Sequence, residues 1–330
     1  MPLDANLAQA ARATARVVAL PMRVGFRGVK VRETLLFEGP EGWAEWAPFV
    51  EYTDAEAAVW LAAALDYAGT PTPPLVRERI GINATLPAVA PDAVADALAP
   101  FGTFRTVKIK VAEAGQKMAD DLARIRKVRE LFPAARIRLD ANGGFTEAAA
   151  MQLGYRLANA GIHLDYFEQP VRELGDLAKL KASLNPKGIL VAADESVRKA
   201  EDPLAVARAG AADLLVIKAA PLGGINCALE VIGEAGLPAV VSSALETSVG
   251  IGMGLHLAGS IPILEYDCGL GTVALFTEDV CDEPLMPVDG YLSVRRAVPS
   301  AEKMARLAAS PERTKWWLER LDRCLALLSH

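Results

Sequence analysis

From about residue 80 the chain alternates short runs of β-branched or apolar residues with longer stretches whose apolar positions recur every three or four residues. Eight runs read as strands: IGINATL, TVKIKV, IRLDAN, LDYFEQP, ILVAADE, LLVIKA, AVVSSALE and ILEYDCG. Amphipathic stretches such as KMADDLARIRKVRELF and DPLAVARAGA lie between them, several opened by Asp, Thr or Pro, which suit a helix start. Strand, helix, strand at this pitch implies parallel pairing through right-handed crossovers. The strands end near Ala84, Lys110, Asp140, Glu168, Asp194, Lys218, Ser243 and Cys268, so each unit spans about 24 to 30 residues. Such a series predicts a closed (β/α) barrel of the TIM type rather than an open sheet.

The first 80 residues have a different rhythm. ARVVALPMRVGFRGVKVRETLLFEGPEGWAEWAPF reads as antiparallel strands around a Gly-containing loop and an EGPEG turn, followed by a helical DAEAAVWLAAALDYAG. After residue 280 the chain is rich in turns and then helical through ERTKWWLERLDRCLALL. The expected division is therefore residues 1–80 and 280–330 in one α+β capping domain, with the barrel at 81–279.

Composition narrows the function classes. The net charge of −6 comes without any Lys/Arg block, so neither a nucleic-acid footprint nor a membrane-surface helix is indicated. The four cysteines, Cys227, Cys268, Cys281 and Cys324, show no CxxC spacing, which points to reduced thiols and a cytoplasmic protein rather than a zinc site or disulfide framework. The N-terminus lacks a basic start followed by an apolar core, and no run approaches the length of a membrane span, so no targeting signal is expected. Nothing in the sequence favours a monomer over a homo-oligomer.

TVKIKV poses the chemical question. Val107, Ile109 and Val111 share one face of the strand, and Lys108 and Lys110 share the other. The next strand ends add Asp140, Glu168, Asp194 and Lys218, all at the barrel face where active sites form. Carboxylates on three neighbouring strands can close on one hard cation; Mg²⁺ is the natural candidate and Mn²⁺ a substitute. Lys110 and Lys218 fall on opposite sides of an eight-strand ring, so a carboxylate substrate would meet an amine on each face. That arrangement suits proton transfer at the carbon beside a metal-bound carboxylate. Lys108 is expected to tune Lys110 by like-charge repulsion.

Together KIK at 108–110, LDAN at 139–142, FEQP at 167–170, ADES at 193–196 and VIK at 216–218 resemble the enolase superfamily, in the branch of the muconate lactonizing enzymes. The resemblance implies a (β/α)7β barrel with a capping domain built from both termini. It implies Asp140, Glu168 and Asp194 as Mg²⁺ ligands and Lys110 as the acid/base, supported by Lys108. Lys218 would be a second base or a cation–π partner, and Asn142 would order the metal's surroundings. Within the branch the likeness is greatest to enzymes that dehydrate, with syn stereochemistry, a cyclohexadiene carrying a carboxylate, a hydroxyl and a succinyl chain. Arg23 and Arg27 in PMRVGFRG then belong to a substrate-covering loop, and Ser242 and Ser243 in VSSALETS to a carboxylate-binding segment.

Two other readings remain: racemisation of an N-acylamino acid, or epimerisation of a dipeptide, with Lys110 and Lys218 as opposed bases, and a non-catalytic binding barrel. His163 and His256 lie away from strand ends, which disfavours a histidine base. VGIGMGLHLAG has GxGxG rather than GxGxxG, so close helix packing is expected there instead of a nucleotide loop.

Overall fold

The computed structural model describes residues 4–26, 28–198 and 202–329. Three antiparallel strands, β1 (Arg16–Phe26), β2 (Val29–Gly39) and β3 (Gly42–Trp46), follow a first helix α1 (Ala5–Thr14) and precede α2 (Asp54–Gly69). Thr53 and Glu56 form a reciprocal capping box that fixes where α2 starts. Two short strands come next, β4 (Arg79–Gly81) and β5 (Ala84–Leu86). The barrel continues through β6 (Thr106–Lys110), β7 (Arg136–Asp140), β8 (Leu164–Glu168), β9 (Val191–Ala193), β10 (Leu214–Ile217) and β11 (Ala239–Val241).

Strands β5 to β11 form one seven-stranded sheet in sequential order, all parallel. Helices α3 (Val94–Leu98), α4 (Met118–Leu131), α5 (Glu147–Asn159), α6 (Leu174–Leu184), α7 (Glu195–Arg198), α8 (Ala205–Arg208), α9 (Ile225–Ala235) and α10 (Ser248–Ser260) connect or follow them. The final elements are β12 (Tyr291–Ser293), α11 (Ala301–Arg306) and α12 (Pro311–Leu328).

Two of the eight expected strands take a different form. IGINATL is split: β4 pairs antiparallel with β12, and only β5 joins the barrel, so this strand ends at Leu86 rather than Ala84. ILEYDCG forms no regular strand, but Cys268 bridges Ile82 and Gly269 bridges Ser242, both parallel, which closes the ring. The close approach needs glycine, because a Cβ on residue 269 would sit 2.6 Å from the Ser242 hydroxyl. Gly269→Ala is therefore expected to destabilise the protein by roughly 1–3 kcal/mol and to lower turnover, as read by denaturant titration and a steady-state assay.

The period of two explains the strands' buried polar residues. In register, Lys110 pairs with Asp140 and Asp140 with Glu168, while one layer lower Lys108 pairs with Arg138 and Arg138 with Tyr166. Alternate residues Val107, Ile109, Leu139 and Phe167 belong to the main apolar core. The lower lumen holds a separate small cluster of Tyr166, Ala192, Leu214, Val216 and Val240.

The terminal segments meet as expected. Trp317 on α12 is fully buried and packs edge-on against Trp46, with ring centroids 5.4 Å apart. Truncating such a residue costs roughly 3–5 kcal/mol, so α12 is firmly seated. Arg320, also buried, donates to the carbonyls of Phe49 (3.3 Å) and Tyr52 (2.5 Å), fixing a loop that reaches the barrel mouth.

Glu45 at the end of β3 crosses to the barrel and accepts from the N–H groups of Thr247 (3.0 Å) and Gly250 (2.9 Å) at the start of α10. Burial raises its pKa to about 7 despite the Thr247 hydroxyl bond, with Glu246 adding to the rise. A raised folded pKa means that the folded state holds the proton more tightly, so stability falls as pH rises from the unfolded value near 4.5 to about 7. This drop is on the order of 3 kcal/mol for a shift of this size. Urea unfolding at pH 5 and pH 7.5 should show that Glu45→Gln removes that part of the decline.

Candidate active site

The barrel mouth gathers Thr85, Lys108, Lys110, Asp140, Asn142, Glu168, Asp194, Lys218, Ser242 and Ser243 around one pocket, with Phe26, Phe49, Leu245 and Thr272 completing its walls. Each ionisable group stands at a strand end. Asp140, Glu168 and Asp194 are at most 2% exposed, and Lys108, Lys110 and Lys218 at most 7%.

Burying this many charges is tolerable only because they are paired. Lys108 Nζ lies 3.1 Å from Glu168 Oε1 and 3.4 Å from Asp140 Oδ2. Lys110 Nζ donates to Asp140 Oδ2 at 2.5 Å and also to Asn142 Oδ1. Lys218 donates to Asp194 Oδ1, which accepts from Arg198 Nε at 3.1 Å as well. Asn142 Nδ2 in turn donates to Glu195 Oε1 at 3.1 Å, and Arg198 Nη1 reaches the Tyr52 hydroxyl at 2.8 Å. A continuous polar network thus runs from Lys110 to the capping segment.

The charges respond to burial and to each other. Burial alone would raise Asp140, but Lys110 and then Lys108 outweigh it and hold its pKa below the usual carboxylate range. Asp194 is held low in the same way, by Lys218 and Arg198 against burial. Glu168 goes the other way, raised to about 7 by burial and then by the Asp140 carboxylate. Burial pulls Lys108 down, yet Glu168 and Asp140 more than offset it and the net shift is upward. Burial dominates at Lys218, whose pKa is lowered despite Asp194. Lys108 is therefore matched by two carboxylates, in place of the bare neighbouring cation expected from the strand's spacing.

Among the described residues, no three His, Cys, Asp or Glu side chains are gathered as a ready metal cluster. The lysines occupy the space between the carboxylates, and the free cavity is only about 30 Å³, room for a water or two. The donor set nevertheless fits a hard divalent cation. It is all oxygen, and Asp140 and Glu168 are register partners on adjacent strands. The ionised form of Glu168 is disfavoured by burial and by the Asp140 carboxylate even with Lys108 3.1 Å away, so a divalent charge there would favour it. The Glu195 carboxylate is paired through Oε1 with Arg198 (2.5 Å) and Asn142, while its buried Oε2 has no hydrogen-bond partner among the described residues.

The substrate-side expectations fare unevenly. Ser242 and Ser243 line the pocket, but the Ser243 hydroxyl already contacts the Gly269 carbonyl (2.9 Å) and Thr272 Oγ1 (2.7 Å). Arg23 is exposed on β1 and is absent from the pocket wall, so the structure does not bring it to the site. Arg27 lies outside the described residues. Phe26, at the end of β1, is the aromatic that reaches in: its ring is 5.1 Å from Lys110 Nζ. Phe26, Phe49, Leu245 and Arg198 escape sequence reasoning. Only Arg198 leaves a local signal, one helical turn after Asp194. Leu245 stands out by its left-handed backbone, φ +63°, a conformation that costs a leucine roughly 1–2 kcal/mol. His256 is buried in α10, bonded to the Gly252 carbonyl (2.8 Å) and facing the Tyr67 hydroxyl (3.1 Å), far from this chemistry.

A parallel barrel with lysines and carboxylates on successive strand ends, capped by a domain from both termini, defines an enolase-type fold. Comparison with known proteins agrees. Residues 90–299 match the Enolase C-terminal domain-like family and residues 17–68 the Enolase N-terminal domain-like family. Among solved structures, muconate lactonizing enzyme from Pseudomonas fluorescens superposes with a TM-score of 0.75 at 20% identity, covering 90% of this chain and 98% of that one. The L-Ala-D/L-Glu epimerase of Bacillus subtilis gives 0.74 at 22% identity, over 87% and 96%. Both share the fold. Among curated relatives, o-succinylbenzoate synthase of Mycobacterium bovis (strain BCG / Pasteur 1173P2) is 50% identical over 312 residues, 94% of each chain. The enzyme of that name from Mycobacterium marinum is also 50% identical, over 94% of this chain and 93% of its own. The chain belongs to the o-succinylbenzoate synthase family of the enolase superfamily.

Proposed function

We propose that the chain is an o-succinylbenzoate synthase, a lyase of menaquinone biosynthesis that dehydrates 2-succinyl-6-hydroxy-2,4-cyclohexadiene-1-carboxylate. The observation that carries this reading is 50% identity over 94% of the chain to synthases of that name, together with Lys110 and Lys218 in one pocket beside three carboxylates. Asp140, Glu168 and Asp194 would hold Mg²⁺, with Mn²⁺ as a substitute. When bound, the cation supplies Lewis-acid stabilisation for negative charge growing on the substrate's ring carboxylate.

The residues then divide the work. Lys110 Nζ, acting as the base, takes the proton from the ring carbon bearing the carboxylate; the electron pair is taken up by that carboxylate and returns to form the ring double bond as the bond to the hydroxyl breaks. The resulting Lys110 ammonium gives that proton to the departing hydroxyl on the same face; water leaves, and the ring becomes aromatic. Asn142 orients Lys110, and Lys108 ties Glu168 to Asp140. Lys218 contributes a cation facing the ring from the opposite side. Ser242 is the better placed of the two serines to offer a free hydroxyl to a substrate carboxylate. A substrate of this size requires the lysines to leave the positions in which they bridge the carboxylates, because the free cavity is about 30 Å³.

The capping domain is assigned to residues 1–80 and 280–330, and the barrel to 81–279. Four free cysteines suit a reducing, cytoplasmic setting. No described helix is long and apolar enough to cross a membrane.

The lowered pKa of Lys218 also suits a second base and so favours N-acylamino acid racemisation as the alternative. The two readings separate in one comparison: kcat/KM for the dehydration against the rate of α-proton exchange in N-acylamino acids in heavy water. The proposal expects dehydration to be the faster reaction, and the reverse order would replace it with racemisation.

A further inference from the structure

Arg32 is a buried charge that the proposed mechanism does not use. It projects from β2 of the capping segment and is 3% exposed, yet it makes no side-chain ion pair among the described contacts. Its guanidinium is spent on backbone carbonyls instead. Nε donates to Leu245 O at 3.1 Å, and Nη2 to Ala244 O at 3.3 Å and to Ala47 O. The guanidinium carbon sits 4.4 Å over the Phe49 ring.

These contacts converge on a strained place. Leu245 is 2% exposed, lines the pocket and holds φ at +63°. A leucine keeps that backbone only where its surroundings over-determine it. Arg32 fastens the carbonyls of Ala244 and Leu245, and Glu45 fastens the N–H groups of Thr247 and Gly250 just beyond. Both anchors come from the capping segment, and the loop they hold carries the pocket-lining stretch Ser242 to Leu245. Phe49, another wall residue, is stacked under the same guanidinium.

We infer that Arg32 is a positioning residue that sets substrate affinity: by clamping the Ala244–Leu245 backbone and the Phe49 ring, it shapes the pocket wall that follows β11 without joining the proton transfer. The kinetic part rests on the dehydration proposed above. Arg32 touches none of Lys110, Asp140, Glu168, Asp194 or Lys218 in any described contact. Its loss therefore loosens the wall and leaves the proton-transfer machinery in place.

The test uses the full chain as wild type, Arg32→Met, Leu245→Gly and the double variant. Two readouts are taken: KM and kcat for the dehydration with Mg²⁺, and amide hydrogen exchange at residues 243–247 without substrate. The expected result for Arg32→Met is a KM raised at least tenfold, a kcat within about threefold of wild type, and faster exchange confined to that loop. Glycine accepts the left-handed conformation without strain. Arg32→Met should therefore raise KM by a smaller factor in the Leu245→Gly background than in the wild-type background. An unchanged KM in folded Arg32→Met, or a loss confined to kcat, overturns the inference. Were wild type inactive on this substrate, the synthase reading would fall, and the exchange measurement would still decide the clamp: protection unchanged in Arg32→Met overturns it.

Discussion

Lys110→Ala should abolish measurable dehydration while leaving the fold and Mg²⁺ binding intact. A positioned general acid/base is worth about 10²–10⁴ in rate, and here one amine is asked to act twice, removing the carbon proton and then protonating the departing hydroxyl. The loss should therefore lie at the upper end of that range. The structure explains why no neighbour substitutes for it. Lys108, the nearest amine along the strand, is held between Glu168 and Asp140 and has its pKa raised, so it stays charged and is a poor base. Lys218 is paired with Asp194 on the other side of the mouth. Circular dichroism and a Mg²⁺ titration would verify folding and metal uptake, and the assay would read the loss in kcat with KM little changed. A variant that kept a tenth of wild-type turnover would remove Lys110 from the mechanism.

The second large effect belongs to Asp140. Its carboxylate pairs with Lys110 at 2.5 Å and Lys108 at 3.4 Å, and its depressed pKa marks the ionised form as the favoured one. Asp140→Asn removes the carboxylate partner of Lys110 and leaves Lys108 with Glu168 alone, and breaking a buried pair in this way costs roughly 3–5 kcal/mol. The metal-free variant should thus unfold at clearly lower denaturant at pH 7. The depressed pKa also fixes the sign: the stabilisation is present above the ordinary Asp value and is lost as pH falls below it, so the difference between wild type and variant should shrink in strong acid. The proposed Mg²⁺ site loses a ligand at the same time. Lewis-acid stabilisation worth several kcal/mol corresponds to about 10³ in rate, and Mg²⁺ should no longer restore turnover. Full metal-dependent activity in Asp140→Asn would refute the assignment of this residue.

Much of this site is legible in the sequence because strands impose a period of two. Lys108 and Lys110 have to share a face, and the ends of β7 and β8 have to bring Asp140 and Glu168 side by side; the register has that adjacency. The glycines of VGIGMGLHLAG are legible for a similar local reason. They lie in α10, and a Cβ on Gly254 would meet Leu270 at 2.6 Å.

What the sequence hides depends on contacts between distant segments. Phe49 reaches the mouth on a loop that Arg320 of α12 fixes, and Phe26 reaches it from the end of β1, and no periodicity records either. The eighth strand shrinks to bridges at Cys268 and Gly269, and the adjoining Asp267 pairs with Arg105 (2.6 Å), Thr106 (2.6 Å) and Arg136 (3.0 Å), contacts that no spacing records. Arg23 has the right charge for an anionic substrate but stands on the exposed edge of β1. Spacing along the strand shows Lys108 only as a cation beside Lys110, and gives no sign that Glu168 Oε1 lies 3.1 Å away and compensates it.

The central claim is that this barrel performs a metal-dependent dehydration. It is tested most directly by following o-succinylbenzoate formation in the ultraviolet from the cyclohexadiene carboxylate, with the purified chain before and after chelation of divalent metal. The account predicts a progress curve that runs to completion with Mg²⁺, stops on chelation and resumes when Mg²⁺ is restored. No product from a folded, Mg²⁺-supplied protein would contradict it.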